Sequence, residues 1–249
     1  MKKISLLCMF LLIGIPSVWA ADVRVAVASN FTAPMEAIAD AFMQGSGYSV
    51  QVSAGSSGKL FAQIINGAPY DVFLSADDKK GALLIERGDA VKGTQTIYAL
   101  GTLVLWSKKY EQPELMLRQH KYTRLAIADP KLAPYGQAAM DVLAHLNITL
   151  SAAEMVTGEN ITQTWQFVAS GNVDAGFVAL SQLIHRPDDG GYFWNIPPEL
   201  YTPIRQEAVL LGRAADNSAA KALLAFLSSE QATRIIRDFG YQLDSQSTP

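Results

Sequence analysis

Cysteine is nearly missing from this chain of 249 residues: the sequence holds one, Cys8. It lies in the apolar core of a segment that reads as an export leader. Lys2 and Lys3 form its positive start, Ile4 to Ile15 its apolar run, and Val18-Trp19-Ala20 a small-residue end that suits cleavage before Ala21. A retained anchor is the weaker reading, because the run is short for a spanning helix. Cys8 sits too early in the leader for lipid attachment. Removing residues 1–20 from 249 leaves 229 with no cysteine, which excludes a disulfide framework and thiol chemistry. Histidine is scarce as well. His120, His145 and His185 are scattered, and none has the i, i+4 or Cys/His spacing of a zinc site. No segment is strongly basic, and loss of Lys2 and Lys3 takes the net charge from −3 to −5; both argue against nucleic acid as a partner. No long apolar run follows the leader, so the mature chain is expected to be soluble.

Small hydroxyls and glycines are present where they matter. The stretch Ser53-Ala54-Gly55-Ser56-Ser57-Gly58-Lys59-Leu60 follows the strand-like Tyr48 to Val52 and precedes the helical stripe Leu60, Phe61, Ile64 and Ile65. A helix start carries unpaired N–H groups and partial positive charge. Glycine lets that backbone approach a ligand. Two readings follow, an anion cradle or a serine that only caps a helix.

The rest of the chain supplies the context. Asp22 to Ala28, Tyr48 to Ser53 and Asp71 to Leu74 read as strands. A helix opened by Thr32, Pro34 and Glu36 and another over Leu60–Ile65 separate them, and a third runs to Arg87. Strands separated by helices of about ten residues predict parallel pairing with helical crossovers. Ligands in such sheets sit off the carboxyl ends of the strands, where Ser29, Asn30, Ser56, Ser57, Ser75 and Asp77 all fall. Ile97 to Trp106 is long for one strand and holds Gly101 in its middle, so it predicts a passage into a second unit. That unit reads as strand Leu125–Ala128, a loop through Ala133-Pro134-Tyr135-Gly136, a helix marked by Met140, Val142, Leu143 and Leu146, another after Asn160, and strand Asp174–Leu180. Asp188-Asp189-Gly190-Gly191 reads as a surface loop, Glu207 to Leu211 as a second crossing strand, Ala219–Leu227 and Gln231–Phe239 as terminal helices, and Asp244–Pro249 as a frayed end. The expected layout is α/β: a first lobe of 21–100 plus 206–249, a second of 101–205, and a hinged cleft between them.

Other motifs carry less. Ser56-x-x-Lys59 fits a serine-acylase pattern, but its companions S-D-N and K-T-G are missing. Gly55 to Lys59 is too short for a nucleotide phosphate loop, and Leu60 stands where Ser or Thr would follow the lysine. Asp77-Asp78 and Asp188-Asp189 read as solvated loop ends, Trp106, Trp165 and Trp194 as core, and His145 as helix surface. What remains is a set of neutral hydroxyls and backbone N–H groups, with Lys59 expected to point outward. Converging donors offset the cost of burying an anion. A cleft of donors alone suits a tetrahedral oxyanion with no proton to give.

On these residues the chain resembles the periplasmic molybdate-binding proteins of ABC transporters. The segments that carry the likeness are Val27-Ala28-Ser29-Asn30, Gly55-Ser56-Ser57-Gly58, Asn66 to Asp77, Ala99 to Trp106, Ala133-Pro134-Tyr135-Gly136 and Gly176 to Leu180. The resemblance implies a two-lobed type II binding-protein fold, each lobe a mainly parallel sheet flanked by helices and joined by two crossing strands. It implies molybdate or tungstate as cargo, no cofactor, a permease partner, a monomer, periplasmic location and no catalysis. Hydroxyls from Ser29 and Ser57 and N–H groups from Tyr135 and Ile161 would hold the oxyanion, with no protein ligand on molybdenum itself. Many members place a tyrosine hydroxyl on the anion where this chain has Ala179, and the expectation here is that Asn30 supplies that donor.

Overall fold

The computed structural model describes residues 21–186 and 190–243. The expected leader, the expected frayed end and Asp188-Asp189 of the surface loop lie outside the described residues.

Valine-rich β1 (Val23–Ala28) is buried along nearly its whole length, as a strand covered on both faces must be. A single helical turn, Ser29–Phe31, follows it directly. α1 (Thr32–Ser46) buries Met35, Ile38, Ala39 and Phe42 as one stripe. It ends at Gly47, whose φ of +75° lets its N–H reach Met43 O at 3.0 Å. β2 (Val50–Gly55), α2 (Ser57–Ile65), β3 (Val72–Ser75), α3 (Lys79–Arg87) and β4 (Thr96–Gly101) complete the outward path of the first lobe. β2 runs two residues further than its pattern predicts, pairing Gly55 with Ala28, and α2 starts at Ser57 rather than Leu60. The serines therefore sit inside the helix start itself.

The chain changes sheets across Thr102, between Gly101 and Leu103, within the segment predicted to cross. The second lobe holds β5 (Leu103–Ser107), α4 (Pro113–Arg118), β6 (Leu125–Ala128), α5 (Pro134–His145), β7 (Met155–Gly158), α6 (Ile161–Ala169), β8 (Ala175–Ala179) and β9 (Tyr192–Asn195). β10 (Ile204–Leu210) returns to the first sheet, and α7 (Ser218–Phe226) and α8 (Glu230–Asp238) pack against that lobe.

The two sheets repeat one plan. Their strand orders are β2-β1-β3-β10-β4 and β7-β6-β8-β5-β9. In each, the first three strands are parallel and the fourth is antiparallel to both its neighbours. Four of the five strands in each sheet therefore run the same way, the mainly parallel arrangement that was expected, with one strand set against them. The reason is the pair of crossings, which bring β5 and β10 into each sheet from the other lobe and so against the local strand direction. Ala28 and Ala76, at strand ends of the first lobe, pack within the core of the second. The lobes meet where the carboxyl ends of both parallel sets face each other.

Candidate functional site

Four helix starts converge at that meeting point. The turn at Ser29 follows β1, α2 begins after β2, α5 after β6 and α6 after β7. They surround a small hollow lined by Ala28, Ser29, Asn30, Gly55, Ser56, Ser57, Ala76, Ala133, Pro134, Tyr135 and Ile161. None of these residues is acidic, basic or histidine.

The first-lobe half presents hydroxyls. Ser57 is buried, and its Oγ accepts the Ala76 N–H at 2.9 Å. That bond fixes the side chain and leaves its own proton to be given elsewhere. Ser29, at the start of its turn, is buried, and among the described residues its Oγ has no hydrogen-bond partner. Its carbonyl accepts Thr32 Oγ1 at 3.0 Å and, from the second lobe, Thr162 Oγ1 at 3.3 Å. Ser56, the residue before α2, has a buried Oγ with no partner among the described residues. A buried hydroxyl left this way is costly. Ser56 was legible as part of the cradle, but not as an unpaired donor.

The second-lobe half presents backbone. Pro134 opens α5, so the N–H of Tyr135 lies in the first helical turn, where no intrahelical partner exists. Gly136 sets the depth of this helix start: a Cβ there would lie 2.1 Å from Ala128 O. Asn160 caps α6 through Oδ1, which accepts the Gln163 N–H at 3.0 Å, leaving the Ile161 N–H at the open end. The side chains of Tyr135 and Ile161 are buried in the second-lobe core.

Asn30 departs from its expected role. Its Nδ2 donates to Gln206 Oε1 at 2.7 Å and to Tyr241 Oη at 3.0 Å. Both amide hydrogens are thereby engaged inside the protein, because a buried amide next to two fixed acceptors is satisfied there first. The side chain is a strut behind the hollow rather than a free donor. Only its N–H, in the first turn after β1, keeps the geometry of a donor. Tyr98 Oη joins the same strut, donating to Gln206 Oε1 at 3.1 Å. Burial pushes the Tyr98 and Tyr135 hydroxyls well above their ordinary pKa and the Tyr241 hydroxyl up to about 12, so all three stay neutral near pH 7.

Ser75 and Asp77 do not reach the hollow. The Asp77 carboxylate caps α3, accepting the Lys79 and Lys80 N–H groups at 3.1 and 3.0 Å, and Ser75 Oγ bonds the same aspartate. Lys59 points outward, as expected, and its ammonium pairs with Glu159 of the second lobe. It is engaged there, away from Ser56, whose acylase pattern needs a lysine as base.

The lobes also touch directly beside the hollow. The Gly58 N–H donates to Leu132 O at 2.8 Å across the cleft, and a Cβ on Gly58 would stand 3.0 Å from that oxygen. Glycine at this position is what allows the approach.

Comparison with known proteins agrees with this architecture. Residues 23–242 match the family model for bacterial extracellular solute-binding proteins. The molybdate-binding protein ModA of Azotobacter vinelandii is 47% identical over 90% of this chain and 91% of its own length. ModA of Rhodobacter capsulatus is 44% identical, with coverage of 89% and 88%. The solved structure of a periplasmic molybdate-binding protein from A. vinelandii superposes with a TM-score of 0.85 at 38% identity, covering 90% of this chain and all of that one. The chain belongs to the family of bacterial extracellular solute-binding proteins that includes these molybdate-binding relatives.

Proposed function

We propose that this protein is a periplasmic receptor for molybdate, and for tungstate, that delivers the oxyanion to an ABC importer. The observation that carries the reading is the lining of the hollow: hydroxyls of Ser29 and Ser57, helix-start N–H groups of Tyr135 and Ile161, and no charged side chain. Each donor in this reading meets one face of a tetrahedral anion. Ser56 Oγ and the Asn30 N–H are the further donors within the same lining. Charge-assisted hydrogen bonds of this kind are about twice as strong as neutral ones. Four helix starts add their partial positive charge, which needs no counter-ion and no proton. The metal centre would be reached only through its oxygens, and no bond is made or broken.

The bodies that move in this reading are the first lobe, up to Gly101 and again from Ile204, and the second lobe between those crossings, working as a monomer. Closure excludes water, which strengthens each hydrogen bond in the cleft. Discrimination against sulfate rests on size, since sulfate is the smaller anion and cannot meet donors of both halves at once.

Thermal melts of the dialysed mature protein with molybdate, tungstate, sulfate and phosphate in turn test the reading. A ligand present at a hundred times its Kd stabilises by about 2.7 kcal/mol. Midpoint shifts with molybdate and tungstate alone are the expected result. A shift with sulfate or phosphate alone would keep the receptor and change its cargo.

A further inference from the structure

We propose that Tyr241, Ser181 and Asn30 form an interlobe latch that sets how slowly bound anion leaves. The inference rests on the receptor reading above, and it assigns a positioning role to two residues outside the hollow's lining.

Tyr241 belongs to the first lobe. Its ring meets Phe31 edge-on, with centroids 5.2 Å apart. The next residue pairs with β4: Leu100 N–H donates to Gln242 O at 2.7 Å. Ser181 belongs to the second lobe, in the single turn Leu180–Gln182 after β8. Its neighbour Gln182 accepts the Ala179 N–H at 3.1 Å and donates to Ile161 O at 3.3 Å. That turn is therefore tied to the start of α6, whose N–H faces the hollow.

The three residues close a ring. Asn30 Nδ2 donates to Tyr241 Oη at 3.0 Å. Tyr241 Oη lies 2.9 Å from Ser181 Oγ, to which it donates. Ser181 Oγ donates to Asn30 O at 3.1 Å. Tyr241 Oη also stands 2.8 Å from Asn30 O. It has one proton, and giving it to Ser181 is the arrangement in which each hydroxyl donates once and accepts once. Such a chain of bonds reinforces itself. Two of its links cross between lobes, so the ring exists only when the cleft is closed. It begins and ends on Asn30, next to Ser29. Opening the cleft breaks both crossing links together, while an open protein capturing anion has yet to form them. The latch must therefore act on release and not on capture.

The test measures capture and release of isotope-labelled molybdate by the mature protein and by Tyr241→Phe, Ser181→Ala and the double variant. Each single variant should release about five- to tenfold faster, the scale of one net hydrogen bond, with capture unchanged within twofold. The double variant should release no faster than the worse single one, because either change opens the same ring. Unchanged release in both single variants would overturn the latch, and so would effects that simply multiply. Should the unaltered protein capture no oxyanion, the receptor reading falls. The latch is then judged by hydrogen exchange of residues 180–183 in the ligand-free protein: faster exchange in Tyr241→Phe supports it, and equal exchange overturns it.

Discussion

The two halves of the hollow are built on one plan and in different materials. Both sheets bring strand ends to it in the order of three parallel strands and an antiparallel fourth. The first lobe arrives with serines at residues 29, 56 and 57; the second arrives with Tyr135 and Ile161, whose side chains are 1% and 2% exposed and serve its core. Chemistry in the first lobe is written in side chains. In the second it is written in where packing holds a helix start. The first half can be lost through a single atom, whereas the second changes only when the backbone moves.

That contrast can be broken most directly at Ser57. Ser57→Ala removes the hydroxyl proposed to donate to the anion and strips the Ala76 N–H of its acceptor. A hydrogen bond to a charged group contributes roughly 1.5–3 kcal/mol, so titration calorimetry should show molybdate affinity falling on the order of ten- to a hundredfold. A smaller fall would move the first-lobe donor to another serine.

A second variant sharpens the comparison by leaving the hollow alone. Glu207, on β10, is buried against Gly81 of α3, and its Oε1 has no partner among the described residues. Burial, with Asp78 and Asp77 nearby, raises its pKa from 4.5 to about 7. Between those values the folded protein holds a proton that the unfolded chain has released. Stability from this group is full below pH 4.5 and declines as pH rises through 7. Glu207→Gln should therefore stabilise the ligand-free protein at pH 8, on the order of 1–2 kcal/mol, with little gain at pH 5. Denaturant melts at both pH values check the sign, and molybdate affinity at pH 8 should hold.

In the second lobe, Asn160→Ala removes the cap of α6. Loss of such a cap costs about 1 kcal/mol, so affinity should drop a few-fold as the Ile161 N–H loses its fixed place. Ile161→Val is the smallest change. It keeps the N–H and trims one buried methylene, so stability falls by about 0.5–1.5 kcal/mol while affinity stays within twofold. A large affinity loss there would mean that the second half reads its ligand with side chains after all.

Periodicity made the strand–helix alternation legible, and a glycine inside a long apolar segment marked the first change of sheet. Ser29, Ser57, Tyr135 and Ile161 all stand at junctions that the sequence places, and the structure gathers them round one hollow. β7 and β9 were not legible. The Met155–Gly158 strand mixes polar and apolar residues over four positions, and the Tyr192–Asn195 strand is an edge with three aromatics and no alternation. The role of Asn30 was hidden for another reason. Its partners Gln206 and Tyr241 lie 176 and 211 positions away, and no local pattern shows that a side chain is already engaged from so far off.

The bare lining of the hollow has one more consequence. No residue in it changes charge between mild acid and mild base. A site built on arginine or histidine would follow the acidity and ionic strength of its surroundings, through screening and through the proton. Fixed dipoles and hydroxyls do not follow the proton, and salt screens them only as far as it reaches the hollow. In the receptor reading, the grip then changes little with acidity until the oxyanion itself takes up a proton.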